Sequence, residues 1–179
     1  RPCAPHRAAN MRIGQQQISA QELDALDNQA FASLLRAFLA ENYPEAWRRP
    51  IVLRLRGQDE RHWLKLLNLH GLRAPGLPRE HGGMGLSLQK QLVYKAVFDG
   101  YGVARVLDIG ATLLAPVLIR YGTAEQQAKH LPRILACDDM WCQGFSEPGA
   151  GSDLAGLRTA ATQEGEDFVI NGQKIWTSH

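Results

Sequence analysis

Apolar residues recur at helical spacing along most of the chain, and the spacing changes after Met140. Ser19-Ala20-Gln21-Glu22 forms a capping box, in which the serine hydroxyl and the glutamate carboxylate each satisfy an exposed helix amide. Leu23, Leu26, Phe31, Leu34, Leu35, Phe38 and Leu39 follow at helical intervals, so the pattern predicts a helix over 20–41, ending before Tyr43-Pro44. Asp59 is expected to cap a second helix that holds Trp63, Leu66, Leu67 and Leu69 and is stopped by Gly71. The run from Ala74-Pro75-Gly76 to Gly82-Gly83-Met84-Gly85 is too rich in proline and glycine for helix or strand. Ser87 caps the next helix, and a further apolar helix covers about 103–121, kinked by Pro116. Thr123-Ala124-Glu125-Gln126, a second capping box, opens one more helix that ends near Ala136.

Beyond Met140 the apolar run Met140-Trp141-Cys142 reads as a strand entering a tight polar loop, Phe145-Ser146-Glu147-Pro148-Gly149-Ala150-Gly151-Ser152-Asp153. Phe168-Val169-Ile170, Asn171-Gly172 and Lys174-Ile175-Trp176 read as a hairpin with a type I′ turn, preceded by a turn at Gly165. Five helices followed by a few strands predict an α+β chain: an all-α domain joined to the start of a β domain, with no alternating βαβ units. The expected boundaries are a leader or disordered terminus over 1–18, the helical domain over 19–137, and a partial, truncated β domain over 138–179. Met11 looks like a natural start, so residues 1–10 read as leader or upstream read-through.

Composition narrows the function classes. With 45% apolar and 21% charged residues among 179, the chain has the make-up of an ordinary globular protein and needs no disulfide for its core. A net charge of +2 gives no argument for nucleic acid or an anionic membrane. The longest apolar stretch, near 109–119, is broken by Gly110, Thr112 and Pro116 and falls short of the ~20 residues of a membrane span. Cys3, Cys137 and Cys142 show neither metal spacing nor an even framework. They read as free thiols in a reducing compartment, and the expected location is cytoplasmic.

Several motifs admit more than one chemistry. Gly82-Gly83-Met84-Gly85 before a helix could cradle a phosphate, but it lacks a preceding strand and the lysine and hydroxyl of a phosphate loop, so a structural turn is the better reading. Glu147 and Asp153 could pass for a carboxylate pair. The simpler expectation is that Asp153 caps a turn while backbone amides or a basic neighbour hold Glu147. His81 and His130 stand alone and read as surface residues. Ser146, Ser152, Ser178 and Trp176 are each ordinary turn or edge residues taken singly. Taken together, Phe145-Ser146 at the start of a glycine loop and Trp176-Thr177-Ser178 at a strand end offer an aromatic face and polar donors, as a flat ring ligand requires.

From about Gln21 to His179 the chain resembles the acyl-CoA dehydrogenases. Four segments carry the resemblance in order: Gly71-Leu72 with 78–87, Tyr121 to Gln127 with Leu131-Pro132, Ser146-Glu147-Pro148-Gly149-Ala150-Gly151-Ser152-Asp153, and Asn171-Gly172-Gln173-Lys174-Ile175-Trp176-Thr177-Ser178. The resemblance implies that the strands are the first of a β-barrel domain, and it implies FAD as cofactor, held by Gln143, Gly144, Phe145, Ser146, Gly151, Ser152, Trp176, Thr177 and Ser178, with Ser152 also touching the acyl-CoA. Gln143 stands where relatives often carry an aromatic residue, Ser146 and Ser178 replace the commoner threonine, and His179 replaces a common asparagine. The implied reaction is α,β-dehydrogenation of an acyl-CoA thioester to the 2,3-enoyl-CoA, passing electrons to an electron-transfer flavoprotein within a homo- or hetero-tetramer. A glutamate base belongs to the family's C-terminal helical domain, so no catalytic residue and no metal ligand is expected within these 179 residues, and this N-terminal piece is expected to be inactive alone. Acyl-CoA oxidase, flavin monooxygenase and non-catalytic subunit of a heteromeric dehydrogenase are the alternative readings. The Trp141 to Pro148 variant is similar to bacterial members acting on dicarboxylic, sterol-derived or aromatic acyl-CoAs.

Overall fold

A computed structural model describes residues 11–13, 16–48 and 53–177 of the chain. It divides into two compact units, Arg1–Met140 and Trp141–His179. The first is helical. Strands β1 (Met11–Ile13) and β2 (Gln16–Ile18) pair antiparallel, with Met11 opposite Ile18. The helices are α1 (Ala20–Ala25), α2 (Asn28–Asn42), α3 (Glu45–Arg48), α4 (Gly57–Leu69), α5 (Leu88–Tyr101), α6 (Ala115–Tyr121) and α7 (Ala124–Leu135). Residues 11–13 and 16–18, expected to belong to a leader or disordered terminus, form the paired strands β1 and β2, with Met11 and Ile18 buried in the core.

The core forms where α2, α4 and α5 turn their apolar faces inward. Phe31, Leu35, Phe38 and Leu39 of α2 keep the three-and-four spacing of a buried stripe, and they pack with Trp63 and Leu67 of α4 and Val97 and Phe98 of α5. Trp63 lies edge-on to Tyr43 at 5.0 Å between ring centres. A smaller cluster of Leu77, Ala115, Leu131 and Leu135 joins the 74–86 loop to α6 and α7.

Three helix expectations need correction, each for a reason outside the apolar period. The single helix over 20–41 is two helices. Asp27 adopts an extended conformation and its carboxylate accepts the Ala30 amide at 2.7 Å, capping α2. The buried Lys90 ammonium binds the last carbonyls of α1, those of Leu23 (2.5 Å) and Asp24 (2.8 Å), which places a cation where the helix dipole favours one. An Asp27→Ala substitution should therefore cost about 1 kcal/mol, the usual value of an N-cap. Denaturant unfolding checks this, and an unchanged midpoint would mean that Lys90 alone sets the break.

The other two corrections concern helix starts. Asp59 lies in the first turn of α4 and does not cap it. The helix opens at Gly57, and Arg56 in the N-cap position makes no side-chain cap. Residues 103–108 are not helical. Gly102, at φ +85°, ends α5, the Ala104 amide donates to the Tyr43 hydroxyl at 2.8 Å, and Arg105 bridges Arg54 in parallel. The Asp108 carboxylate then takes the Ala111 amide at 3.1 Å, and one wide π turn, Gly110–Leu114, leads into α6. That turn accommodates Pro116, which has no N–H to give the helix ladder.

Ser19, Ser87 and Thr123 cap their helices as the sequence predicts, with full capping boxes at Ser19 and Thr123. The Gly82-Gly83-Met84-Gly85 turn is structural. The amides from Gly82 to Leu86 donate in turn to the carbonyls of Arg79, Pro78, Ala74, Leu77 and Pro75, which leaves none of them for a phosphate. Gly83 is required by close approach, because a side chain there would overlap the Leu77 carbonyl.

The second unit contains one hairpin, β3 (Ala160–Glu164) antiparallel to β4 (Asp167–Asn171), with Glu164 opposite Asp167. The turn is therefore Gly165-Glu166, with Gly165 at φ +66°, and Asn171 ends a strand where the sequence pattern had predicted the turn. Met140-Trp141-Cys142, expected as a strand, forms none among the described residues. The observed class is the expected one: a helical domain followed by short antiparallel strands that begin a β domain.

Candidate functional site

The second unit is organised by a buried glutamate. Glu147 and Ala150 exchange both backbone hydrogen bonds, at 2.9 and 3.0 Å, closing a tight turn over Pro148-Gly149. The Glu147 side chain is 7% exposed. Its carboxylate accepts the Arg158 amide at 2.6 Å, the Thr159 amide at 2.9 Å and the Lys174 ammonium at 2.8 Å. These donors all favour the charged form. The Lys174 ammonium does most, with the Thr159 and Arg158 donors adding to it, and together they hold the carboxyl down to about 2. Glu147 is thus held by both backbone amides and a basic neighbour. A carboxylate so occupied is a structural pin rather than a proton acceptor for chemistry. Asp153 does not converge on it. Its carbonyl accepts the Gly156 amide in the 3-10 turn Leu154–Gly156, and its carboxylate makes no cap.

Lys174 also donates to the Phe145 carbonyl at 3.0 Å, and the Ile175 amide donates to the Ser146 carbonyl at 2.9 Å. These bonds lay the 174–176 segment against the 144–147 loop. Gly172 permits the crossing, because a side chain there would overlap the Thr159 hydroxyl and backbone. Gly144, Phe145 and Ser146 are accordingly brought together with Lys174, Ile175 and Trp176. Phe145 is 56% exposed and Trp176 82% exposed. Trp176 has φ +57°, a conformation that costs a residue with a side chain roughly 1–2 kcal/mol.

The other expected residues are placed more loosely. Gln143 and Thr177 are exposed beside the same two segments in sequence. Gly151 and Ser152 are exposed just past the Glu147–Ala150 turn, where the Ser152 carbonyl accepts the Leu154 amide at 3.2 Å. Ser178 lies outside the described residues. Lys174 was not among the expected site residues. The signal for it was a lone cation in an otherwise neutral strand end, matched to a carboxylate in a glycine-rich turn.

In chemical terms the unit presents two exposed aromatic rings beside a rigid turn bearing hydroxyl and amide donors. That fits a planar, partly polar ring system, and Glu147, already engaged by three donors, is not free to act as a base on it. His81 and His130 are half-buried, and among the described residues no group of histidine, cysteine and carboxylate side chains could hold a metal ion.

Comparison with known proteins shows the family. The family model for the N-terminal domain of acyl-CoA dehydrogenases matches residues 26–138, and that for the middle domain matches residues 142–179. The chain belongs to the acyl-CoA dehydrogenase family, whose members are FAD flavoprotein oxidoreductases of lipid metabolism. It is 46% identical over 125 residues to acyl-CoA dehydrogenase IpdE1 of Mycobacterium tuberculosis (strain ATCC 25618 / H37Rv), covering 68% of this chain and 32% of that protein. Among solved structures it is similar to the Tcur3481-Tcur3483 steroid ACAD, with a TM-score of 0.72 at 35% identity over 89% of this chain and 41% of that one. The ChsE4-ChsE5 complex from M. tuberculosis matches with a TM-score of 0.71 at 37% identity, over 84% of this chain and 38% of that one. The chain therefore spans about a third of the length of the curated relatives it matches. Among the described residues no helix is long and apolar enough to cross a membrane.

Proposed function

We propose that this chain is the flavin-binding N-terminal part of an FAD-dependent acyl-CoA dehydrogenase that converts an acyl-CoA thioester to its 2,3-enoyl-CoA. The observation that carries this reading is the pairing of Ser146 with Ile175, reinforced by Lys174, which sets the exposed rings of Phe145 and Trp176 beside one polar turn. The residues fit the cofactor. Phe145 and Trp176 would lie along the flavin ring, Ser146, Thr177 and Ser178 would serve its polar edge, and Gln143, Gly144, Gly151 and Ser152 would let backbone approach it. FAD, when bound, accepts the hydride lost from the β-carbon. The chain's own residues bind and orient, and removal of the α-proton is assigned to a carboxylate outside these 179 residues, because Glu147 is already fully engaged. On this reading the 179-residue chain by itself turns over no acyl-CoA.

The likeness to a steroid ACAD supports a sterol-derived acyl group as the substrate class, and the likeness to two-component assemblies supports a heteromer. That second likeness also favours a further reading, in which this chain comes from the non-catalytic partner of such a pair. Domain limits of 19–137 and 138–179, a cytoplasmic location and electron transfer to a flavoprotein complete the proposal.

Ser152 gives a test. It stands after Gly149 and Gly151, where backbone can come close to a ligand, and its hydroxyl makes no hydrogen bond among the described residues. Ser152→Ala should lower acyl-CoA affinity of the FAD-loaded protein by about 5- to 150-fold, the 1–3 kcal/mol of a buried group left unpaired. Isothermal titration measures this, and unchanged acyl-CoA affinity removes Ser152 from the substrate site.

A further inference from the structure

The helical unit holds a cavity of about 530 Å³, within the range of roughly 300–1,000 Å³ typical of small-molecule sites. Its wall is largely apolar, with Trp63, Leu67, Tyr94 and Phe98 among the lining side chains. Tyr94 and Phe98 stack at 4.1 Å. The Tyr94 hydroxyl is committed to the Leu72 carbonyl at 2.9 Å, so it adds ring surface and not a free donor.

Four charged residues line this wall: Asp99 and Arg105, of opposite sign and exposed at its edge, and Arg73 and Asp108 within it. The Arg73 and Asp108 side chains are 5% and 13% exposed, and they pair at 2.7 Å. Arg73 Nε and Nη2 both donate to one Asp108 oxygen, at 3.1 and 2.7 Å, and Nη1 donates to the Leu135 carbonyl at 2.8 Å. The other Asp108 oxygen caps the turn at Ala111. A guanidinium carries five N–H donors. Three are used, and two have no protein acceptor among the described residues. Burying a polar donor without a partner is unfavourable. A purely structural tie between α7 and the start of the π turn would need only the three bonds already made.

We infer that this cavity is a specificity pocket that reads an uncharged oxygen acceptor, a ketone or hydroxyl, carried on a compact apolar body. Charge balance selects the acceptor. Asp108 already neutralises Arg73, so a carboxylate would enter as an uncompensated buried charge, whereas a carbonyl oxygen takes the spare N–H donors without adding charge. The aromatic walls supply the remaining contact through flat packing. This rests on the acyl-CoA reading in that the apolar body would be the acyl group, and it adds that this group is oxygenated away from the thioester.

The test uses neither CoA nor flavin, so it stands or falls separately from that reading. The 179-residue chain is titrated with 1-tetralone and with tetralin, its counterpart lacking the oxygen, by ligand-observed NMR. The comparison chain is Arg73→Met/Asp108→Asn, which removes both charges while asparagine can still cap Ala111. The ratio of ketone to hydrocarbon affinity is expected to fall at least tenfold in the double variant. Contacts from bound tetralone to the Trp63 indole are expected in the parent chain. Should the double variant not fold, Arg73→Lys keeps the charge pair but loses the fork, and it is expected to lower the same ratio. An unchanged ratio in a folded variant, or no tetralone contact with Trp63, overturns the assignment.

Discussion

Trp176→Ala is expected to weaken FAD binding about thirty-fold, the largest single effect on cofactor retention anticipated for this chain. The residue is 82% exposed and held at φ +57°. Both features are unfavourable as they stand, since apolar ring surface stays in water and the backbone occupies a region that disfavours residues with a side chain. A planar ligand laid on the ring would offset both. Aromatic side chains can bury about 150–250 Å², so covering one face removes roughly 80 Å² from water. At about 25 cal/mol per Å² that is worth about 2 kcal/mol, and each 1.4 kcal/mol is tenfold in affinity. Trp176→Phe should restore most of the loss, because the face matters more than the indole N–H. Fluorescence titration of FAD into the apo forms decides the matter. If Trp176→Ala binds FAD normally but melts earlier than the parent, the ring packs against protein and the flavin lies elsewhere.

How much of this arrangement the sequence reveals depends on how local each feature is. Ser19, Ser87 and Thr123 were legible because a cap bonds an amide two or three residues away, within one motif. The engagement of Glu147 was legible in kind, since a carboxylate in a glycine-rich turn must find donors, yet the identity of Lys174 was not, because it arrives from 27 positions downstream. The break between α1 and α2 escaped the periodicity for the same reason. Leu26 and Phe31 keep helical spacing across it, while Lys90, whose ammonium secures the end of α1, is 67 residues from Leu23.

The hairpin shows a competition between two local signals. Asn171-Gly172 and Gly165-Glu166 are both good turn sequences, and the strand register favours the second. Gly172 answers instead to the approach of Thr159, a tertiary requirement. The Arg73–Asp108 pair left no readable trace at all. Neither residue belongs to a recognisable motif, and only the folding of the 70s loop onto the start of the π turn brings them together. Ser146 and Trp176 were singled out through their combination, and the structure sets their two segments side by side.

The second large effect concerns Glu147. Its carboxyl lies at about 2 against an ordinary 4.5, held there by Lys174 and by the donors of Thr159 and Arg158. A folded-state value below the unfolded one means that the unfolded chain binds the proton first as pH falls. The stabilisation is therefore fully present above about pH 5, declines as pH drops through 4.5, and is gone near 2. The Arg158 and Thr159 amides, which donate directly to the carboxylate at 2.6 and 2.9 Å, should lose hydrogen-exchange protection across that window, after correction for the intrinsic rate. Glu147→Gln mimics the protonated state in charge and adds a conflict, since its amide nitrogen would face one of these N–H donors. That variant should show both amides less protected already at pH 7, with no further change on acidification, while Lys174 keeps only its bond to the Phe145 carbonyl. Site-resolved exchange by NMR on the parent and variant measures this. Amides of Arg158 and Thr159 that are as protected at pH 2, or in Glu147→Gln at neutral pH, as in the parent at pH 7 would show that the Glu147 carboxylate does not hold this loop.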